Sequence, residues 1–181
     1  MPPTTPLPAC WHKLRGRLHN METQIPVRDG LHDFDFLFGS WRVHHRRLTD
    51  PANGEDWYDF ETSCTARPLW NGKGNIDEFI GESPSGPFEG GTLRIYDANT
   101  RLWSLYWATP QRGLITLPNI GAFRENGVGE FFSHELFDGK PILCRYTWIQ
   151  QHGDGCRWEQ AFSFDYGGIW KTNWTMDFTK S

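Results

Sequence analysis

From Ser40 to Phe178 the chain is written in a two-residue period: apolar side chains alternate with polar ones in short runs. Alternation of that kind puts one face of each run against a core and the other toward solvent, which predicts half-buried β-strands. Candidate strands cover 40–48, 57–67, 75–81, 91–97, 101–108, 112–123, 128–137, 141–151, 156–165 and 169–179. Turn-forming strings separate most of them: "DPANGED", "NGKG", "SPSGP", "DANT", "ENG", "DGK", "HGDG" and "DYGG". The period changes only just before Gly39, where Phe34, Leu37 and Phe38 fall at i, i+3 and i+4 and predict a short N-terminal helix. About ten strands joined by hairpins describe a meander, and a sheet that long curls until its edges meet. The expected fold is all-β: a closed antiparallel up-and-down β-barrel preceded by a short helix.

Composition changes this picture at one end of the chain. Residues 1–30 open with "MPPTTPLPAC" and "WHKLRGRLHN", rich in Pro, Thr and basic residues and poor in apolar area. They are expected to form a disordered N-terminal extension, leaving one barrel domain over 31–181. Ten Trp, thirteen Phe and five Tyr make the chain 15% aromatic, an unusual supply of flat apolar surface. A formal net charge of −4, with no basic run beyond "HHRR" at 44–47, argues against nucleic acid as a partner. No apolar run approaches a membrane span, and the first twenty residues lack the apolar stretch of a secretory signal. Cys10, Cys64, Cys144 and Cys156 show no metal-ligand spacing. A cytoplasmic protein with reduced cysteines is the expectation, and a homodimer is left open.

Alternation also nominates the interior. Trp41 facing inward carries Val43, His45 and Arg47 with it, unless the strand twists out by Arg47. In "GNIDEF" either the Ile76–Glu78–Ile80 face or the Asn75–Asp77–Phe79 face points inward, so an acid lies near the interior on both readings. Arg94 and Tyr96 share a face, as do Trp103, Leu105 and Trp107. In "WEQAFSFDYGGIWKTNW" (158–174), Trp158, Gln160 and Phe162 take one face and Glu159, Ala161 and Ser163 the other. An even separation puts Trp170 and Trp174 together, opposite Asn173, so Glu159 and Asn173 are expected to look into a cavity walled by tryptophan.

Gly39-x-Trp41, just after the short helix and opening the first strand, resembles the G-x-W signature of lipocalins and other calycins. Together with "DFDFLFGSWRVHHRRL", "GNIDEF", "TLRIYDANTRLWSLYWA" and "RYTW…WEQAFSFDYGGIWKTNWTMDF", it resembles a group of bacterial proteins with a lipocalin-like domain, over about residues 31–180. The resemblance implies a closed barrel with an internal cavity and brings no assigned activity with it.

Two chemistries suit such an interior. A carrier of a small, largely apolar or aromatic molecule would use Trp103, Trp107, Trp158 and Trp174 for stacking, with Arg47, Arg94, Glu159 and Asn173 at the polar end. A cofactor-independent acid–base enzyme (an isomerase, cyclase or dehydratase) would use His45 with Asp77, Glu78 or Glu159. No nucleophile-elbow or zinc-protease motif is present. No cofactor or metal is expected, since His44 and His45 face opposite sides of one strand and the last two strands carry no His. A third class, an interaction protein, predicts a filled barrel and an exposed tryptophan patch.

Overall fold

The computed structural model describes residues 29–114, 117–151 and 155–181; the extension expected at the N-terminus lies outside these except for Asp29 and Gly30. The strands are β1 (Gly39–Leu48), β2 (Trp57–Leu69), β3 (Gly74–Ser83), β4 (Gly86–Asp97), β5 (Leu102–Thr109), β6 (Gly113–Leu114), β7 (Asn119–Phe123), β8 (Val128–Phe137), β9 (Lys140–Gln150), β10 (Gly155–Ser163) and β11 (Lys171–Lys180). Apart from β6, a two-residue tag on β5, each strand pairs antiparallel with its neighbours in the chain. β11 returns to β1, from Trp41 opposite Lys180 to Arg47 opposite Trp174. Ten strands therefore close into an up-and-down barrel. The expected strand over 112–123 is split, because Pro118 has no amide hydrogen to give the ladder.

The expected helix contracts to a single 3-10 turn at Asp35–Leu37. No side chain caps it, and Phe38 is already extended before Gly39 at φ +118°, a conformation that favours glycine. The spacing that suggested a helix still does its work: Phe34 and Leu37 are both fully buried and plug one end of the barrel. The Phe34 ring lies 5.0 Å from Phe123, 5.1 Å from Trp103 and 5.9 Å from Trp148. Burying such side chains contributes about 1.5–3 kcal/mol each. Trp41 donates its indole N–H to the Leu37 carbonyl (2.7 Å) and Trp103 donates to the Gly30 carbonyl (3.0 Å), fastening the plug to β1 and β5. This end is the floor; the ends of β1, β8 and β10 and the starts of β2, β9 and β11 form the rim.

Side chains fill the barrel from the floor to its middle in one contiguous aromatic core that runs from Phe34 to Trp174. At the rim the order of faces breaks once. Gln160 pairs with Trp174 and Ala161 pairs with Thr172, so Asn173 is an extra residue in β11. That bulge reverses the alternation. Trp174 turns inward against His45, while Trp170 packs outside, 5.9 Å from Phe132 and under the Arg145 guanidinium at 4.6 Å. Trp170 and Trp174 thus lie on opposite faces, contrary to the even-spacing argument. Among the described residues no helix is long and apolar enough to cross a membrane.

Candidate functional site

His45 is fully buried, and Phe60 stacks on it at 4.3 Å. The Trp174 indole N–H can only donate, and it points at His45 Nδ1 (3.2 Å). The proton of the imidazole is therefore on Nε2, which donates to Thr62 Oγ1 at 2.8 Å. Burial pushes the His45 pKa down to about 3, with the charges of His44 and Arg47 acting in the same direction. Both ring nitrogens are engaged, and neither bonds an acid.

The acids expected beside His45 are placed elsewhere. Asp77 and Asn75 take the inward face of β3, and the apolar-face argument for Glu78 is corrected: Glu78 is exposed, as is Ile80 at its side. The reason lies in the partner strand, where Arg94 faces inward and needs a buried carboxylate. Arg94 donates to Asp77 (2.5 Å) and Asn75 (3.1 Å), and the Thr92 amide donates to the other Asp77 oxygen (2.7 Å). This buried pair is a fixture of the floor, with Arg94 also facing the rings of Phe34 and Trp148, although Arg94 Nε and the Asn75 amide nitrogen have no hydrogen-bond partner among the described residues. Glu159 lies on the outer face, where it accepts from Arg157 Nε (2.7 Å), and Arg157 also bonds Asp177. The cavity wall is thus the reverse of the expectation: Trp158 and Trp174 line the interior and Glu159 is outside. Asn173 is buried at the bulge, its amide nitrogen without a partner among the described residues. Trp103 belongs to the floor; Trp107 lies in the upper interior against Phe79 and Phe88.

A second group of polar side chains gathers inside the barrel below the rim. Register aligns Arg47 of β1, Trp174 of β11, Gln160 of β10 and Tyr146 of β9 as one row across four strands. The Arg47 guanidinium sits 4.5 Å over the Trp174 ring, and Tyr146 meets Trp158 edge to face at 4.9 Å. Burial pushes the Tyr146 phenol well above its ordinary value. It does the same to the Cys144 thiol, to which Gln160 donates at 3.7 Å. Both groups are therefore neutral. Glu135, nearer the rim on β8, accepts from Ser133 at 2.6 Å. At the rim a recess of about 500 Å³ opens, lined by Ala52, Phe137, Pro141, Phe164 and Tyr166 with Asn53, Asp138 and Lys140. Lys171 holds its edge by bonding the Ala52 and Gly54 carbonyls of the β1–β2 loop.

Of the residues chosen from the sequence, the structure brings Arg47, Trp158 and Trp174 together here and leaves Arg94, Asp77 and Trp103 at the floor. Tyr146 and Glu135 were not among those chosen. The period-two reading of "LCRYTW" puts Tyr146 on the inward face with Cys144 and Trp148, a signal that was there to be read.

The barrel closes with a short plug before β1 and Gly39-x-Trp41 at its first strand, a lipocalin-like architecture. Among solved structures, the S-type phycobiliprotein lyase CPES from Guillardia theta shares it, with a TM-score of 0.56 over 88% of this chain and 97% of that one, at 12% identity. At that identity the likeness establishes the fold. No family model matches the chain, and no curated protein sequence does.

Proposed function

We propose that the protein binds a small, largely apolar or aromatic molecule at the open end of its barrel. The observation that carries this reading is the rim recess of about 500 Å³, walled by Ala52, Phe137, Pro141, Phe164 and Tyr166 with Asn53, Asp138 and Lys140 as its polar groups. Its volume is in the range of small-molecule sites, about 300–1,000 Å³, which are mostly apolar with a few orienting polar groups. The acid–base alternative loses its support at His45, which is neutral and engaged by Thr62 and Trp174. The inward Cys144 thiol and Tyr146 phenol, both kept neutral by burial, offer no activated nucleophile to a catalyst.

Incubation with a metabolite extract, followed by mass spectrometry of what the protein retains, tests the reading. One unchanged compound retained near one per chain, with quenching of tryptophan fluorescence, is the expected result. Phe164→Asp, which replaces an aromatic part of the recess wall by a carboxylate, should abolish retention while the fold persists by circular dichroism. Disappearance of a metabolite with growth of a new mass and no retention would replace the carrier by a catalyst.

A further inference from the structure

We infer that residues 11–25 dock as an amphipathic helix on the outer wall of the barrel, across β3, β4, β5 and β7 near the floor. Gly74 of β3 pairs with Ile95, Ile95 with Ser104, Ser104 with Ile120 and Ile120 with Phe132, an outward row across five strands. The Trp70 ring lies against Gly74, where a side chain would otherwise stand. An antiparallel wall that faces water should carry polar residues in such a row. Ser104 is the one polar side chain in it. Trp70 is 61% exposed, Ile120 43% and Ile95 36%. At the far end Phe132 is already covered by Trp170.

The chain enters the barrel beside this row. Gly30 donates its amide to the Tyr96 hydroxyl (3.0 Å), and its carbonyl accepts from the Trp103 indole (3.0 Å). Tyr96 and Trp103 are the inward neighbours of Ile95 and Ser104. The residues before Asp29 therefore start from the floor at β4 and β5. Four residues of extended chain reach about 13 Å, which brings Ile25 to the outer side of that wall.

The sequence of that segment matches the row in length and in charge. Trp11, Leu14, Leu18, Met21 and Ile25 follow one another at intervals of three and four, one face of a helix, with Pro26 to end it. Fifteen residues of helix are about 22 Å long, against about 19 Å for five strands side by side. Arg15 and Arg17 flank the stripe. Residues 1–28 hold four basic residues and one acid, a net charge of +3; with −4 for the whole chain, the rest of the protein carries −7. Glu78 of β3 and Asp97 of β4 are exposed on the same outer face. A helix of this length is marginal alone in water, so it forms where a surface buries its stripe. A short tether presents that surface at an effective concentration of about a millimolar. A basic amphipathic helix also suits an anionic membrane; the exposed row at the segment's own point of entry favours the wall.

Hydrogen exchange and NMR on the full chain test this. The amides of residues 11–25 should exchange about tenfold slower, or more, than those of a free peptide of the same sequence. Cys64, Cys144 and Cys156 are buried, so a maleimide nitroxide goes to Cys10. It should broaden the amide resonances of Ile95, Ser104 and Ile120 more than those of β1 and β11 on the opposite wall. Leu14→Lys with Leu18→Lys in the segment, and Ile120→Lys on the wall, should each remove both signs and leave the barrel resonances in place. No protection of 11–25, or protection without broadening along the row, would overturn the inference. Broadening that passes between nitroxide-labelled and isotope-labelled chains in a mixture, with the mass of a dimer, would overturn it and give the row to a second copy. Protection gained only on phosphatidylglycerol vesicles would overturn it and give the stripe to a membrane. The measurements on the intact protein need no variant to fold.

Discussion

His45 offers a direct measurement of how the barrel treats a buried titratable group. In the folded chain its pKa is about 3; in the unfolded chain it returns to about 6.5. Because the folded value is the depressed one, the stabilising contribution is complete above pH 6.5 and is lost as the pH falls toward 3. Protons bind the unfolded chain first, and the native state is left behind. One proton corresponds to about 1.4 kcal/mol per pH unit, so lowering the pH from 7 to 5 removes about 2 kcal/mol through this group, and about 4–5 kcal/mol by pH 3. Carboxylates contribute little to the difference in the upper part of that range, which makes pH 7 to 5 the informative interval. His45→Gln removes the titration while leaving an amide that can donate toward Thr62 and accept from Trp174. The variant will be less stable at every pH, but only the change within each protein matters. Urea unfolding followed by tryptophan fluorescence at pH 7, 6 and 5 should show the parent losing about 2 kcal/mol more than the variant. Parallel losses would refute the argument, since they would mean that His45 accepts a proton in the folded barrel as readily as in the unfolded chain.

Other parts of the structure make equally definite predictions. His44 is held between Glu61 (2.9 Å) and Asp59 (3.0 Å), which raises its pKa; its stabilising effect, present at low pH, should fade as the pH rises through the raised value, and His44→Gln should flatten that fall at low salt in the same urea experiment. Phe34→Ala should cost about 3–5 kcal/mol by leaving a void under Trp103, Phe123 and Trp148, measured by chemical denaturation. A methyl group added at Gly90 would stand 2.5 Å from the Trp107 ring, so Gly90→Ala should displace that indole, cost about 1–3 kcal/mol and shift the emission spectrum. Arg94→Met should cost about 3–5 kcal/mol because Asp77 is left buried and unpaired, and Asp77→Asn in the same chain should recover a large part, read as a double-mutant cycle.

Most of the fold was legible because alternation survives burial: Trp41, Val43 and His45 face inward as a period of two requires. The limits of that reading are physical. A period of two says that Asp77 and Glu78 face opposite ways but not which faces in; that was decided by Arg94 across the ladder. It also presumes an unbroken register, and one extra residue at Asn173 exchanged the faces of Trp170 and Trp174. The helix spacing of Phe34 and Leu37 was a correct statement about burial and an incorrect one about the helix, since a plug needs those two side chains on one side and three residues of turn suffice. The row from Arg47 to Tyr146 adds β1 to the consecutive strands β9, β10 and β11, and pairing between β1 and β11, at opposite ends of the barrel sequence, is what assembles it.

That last pairing has a consequence for how the protein is made. Every other strand of the barrel meets a partner that is next to it in the order of synthesis, but β1 waits for β11, the last strand of the barrel. Until the ribosome releases residues 171–180, β1 carries an open edge, a template to which another nascent chain can bind. Termination of synthesis before residue 171 would do more than shorten the molecule; it would open the ring, bare the edges of β1 and β10 together, and take from His45 the indole that fixes its proton.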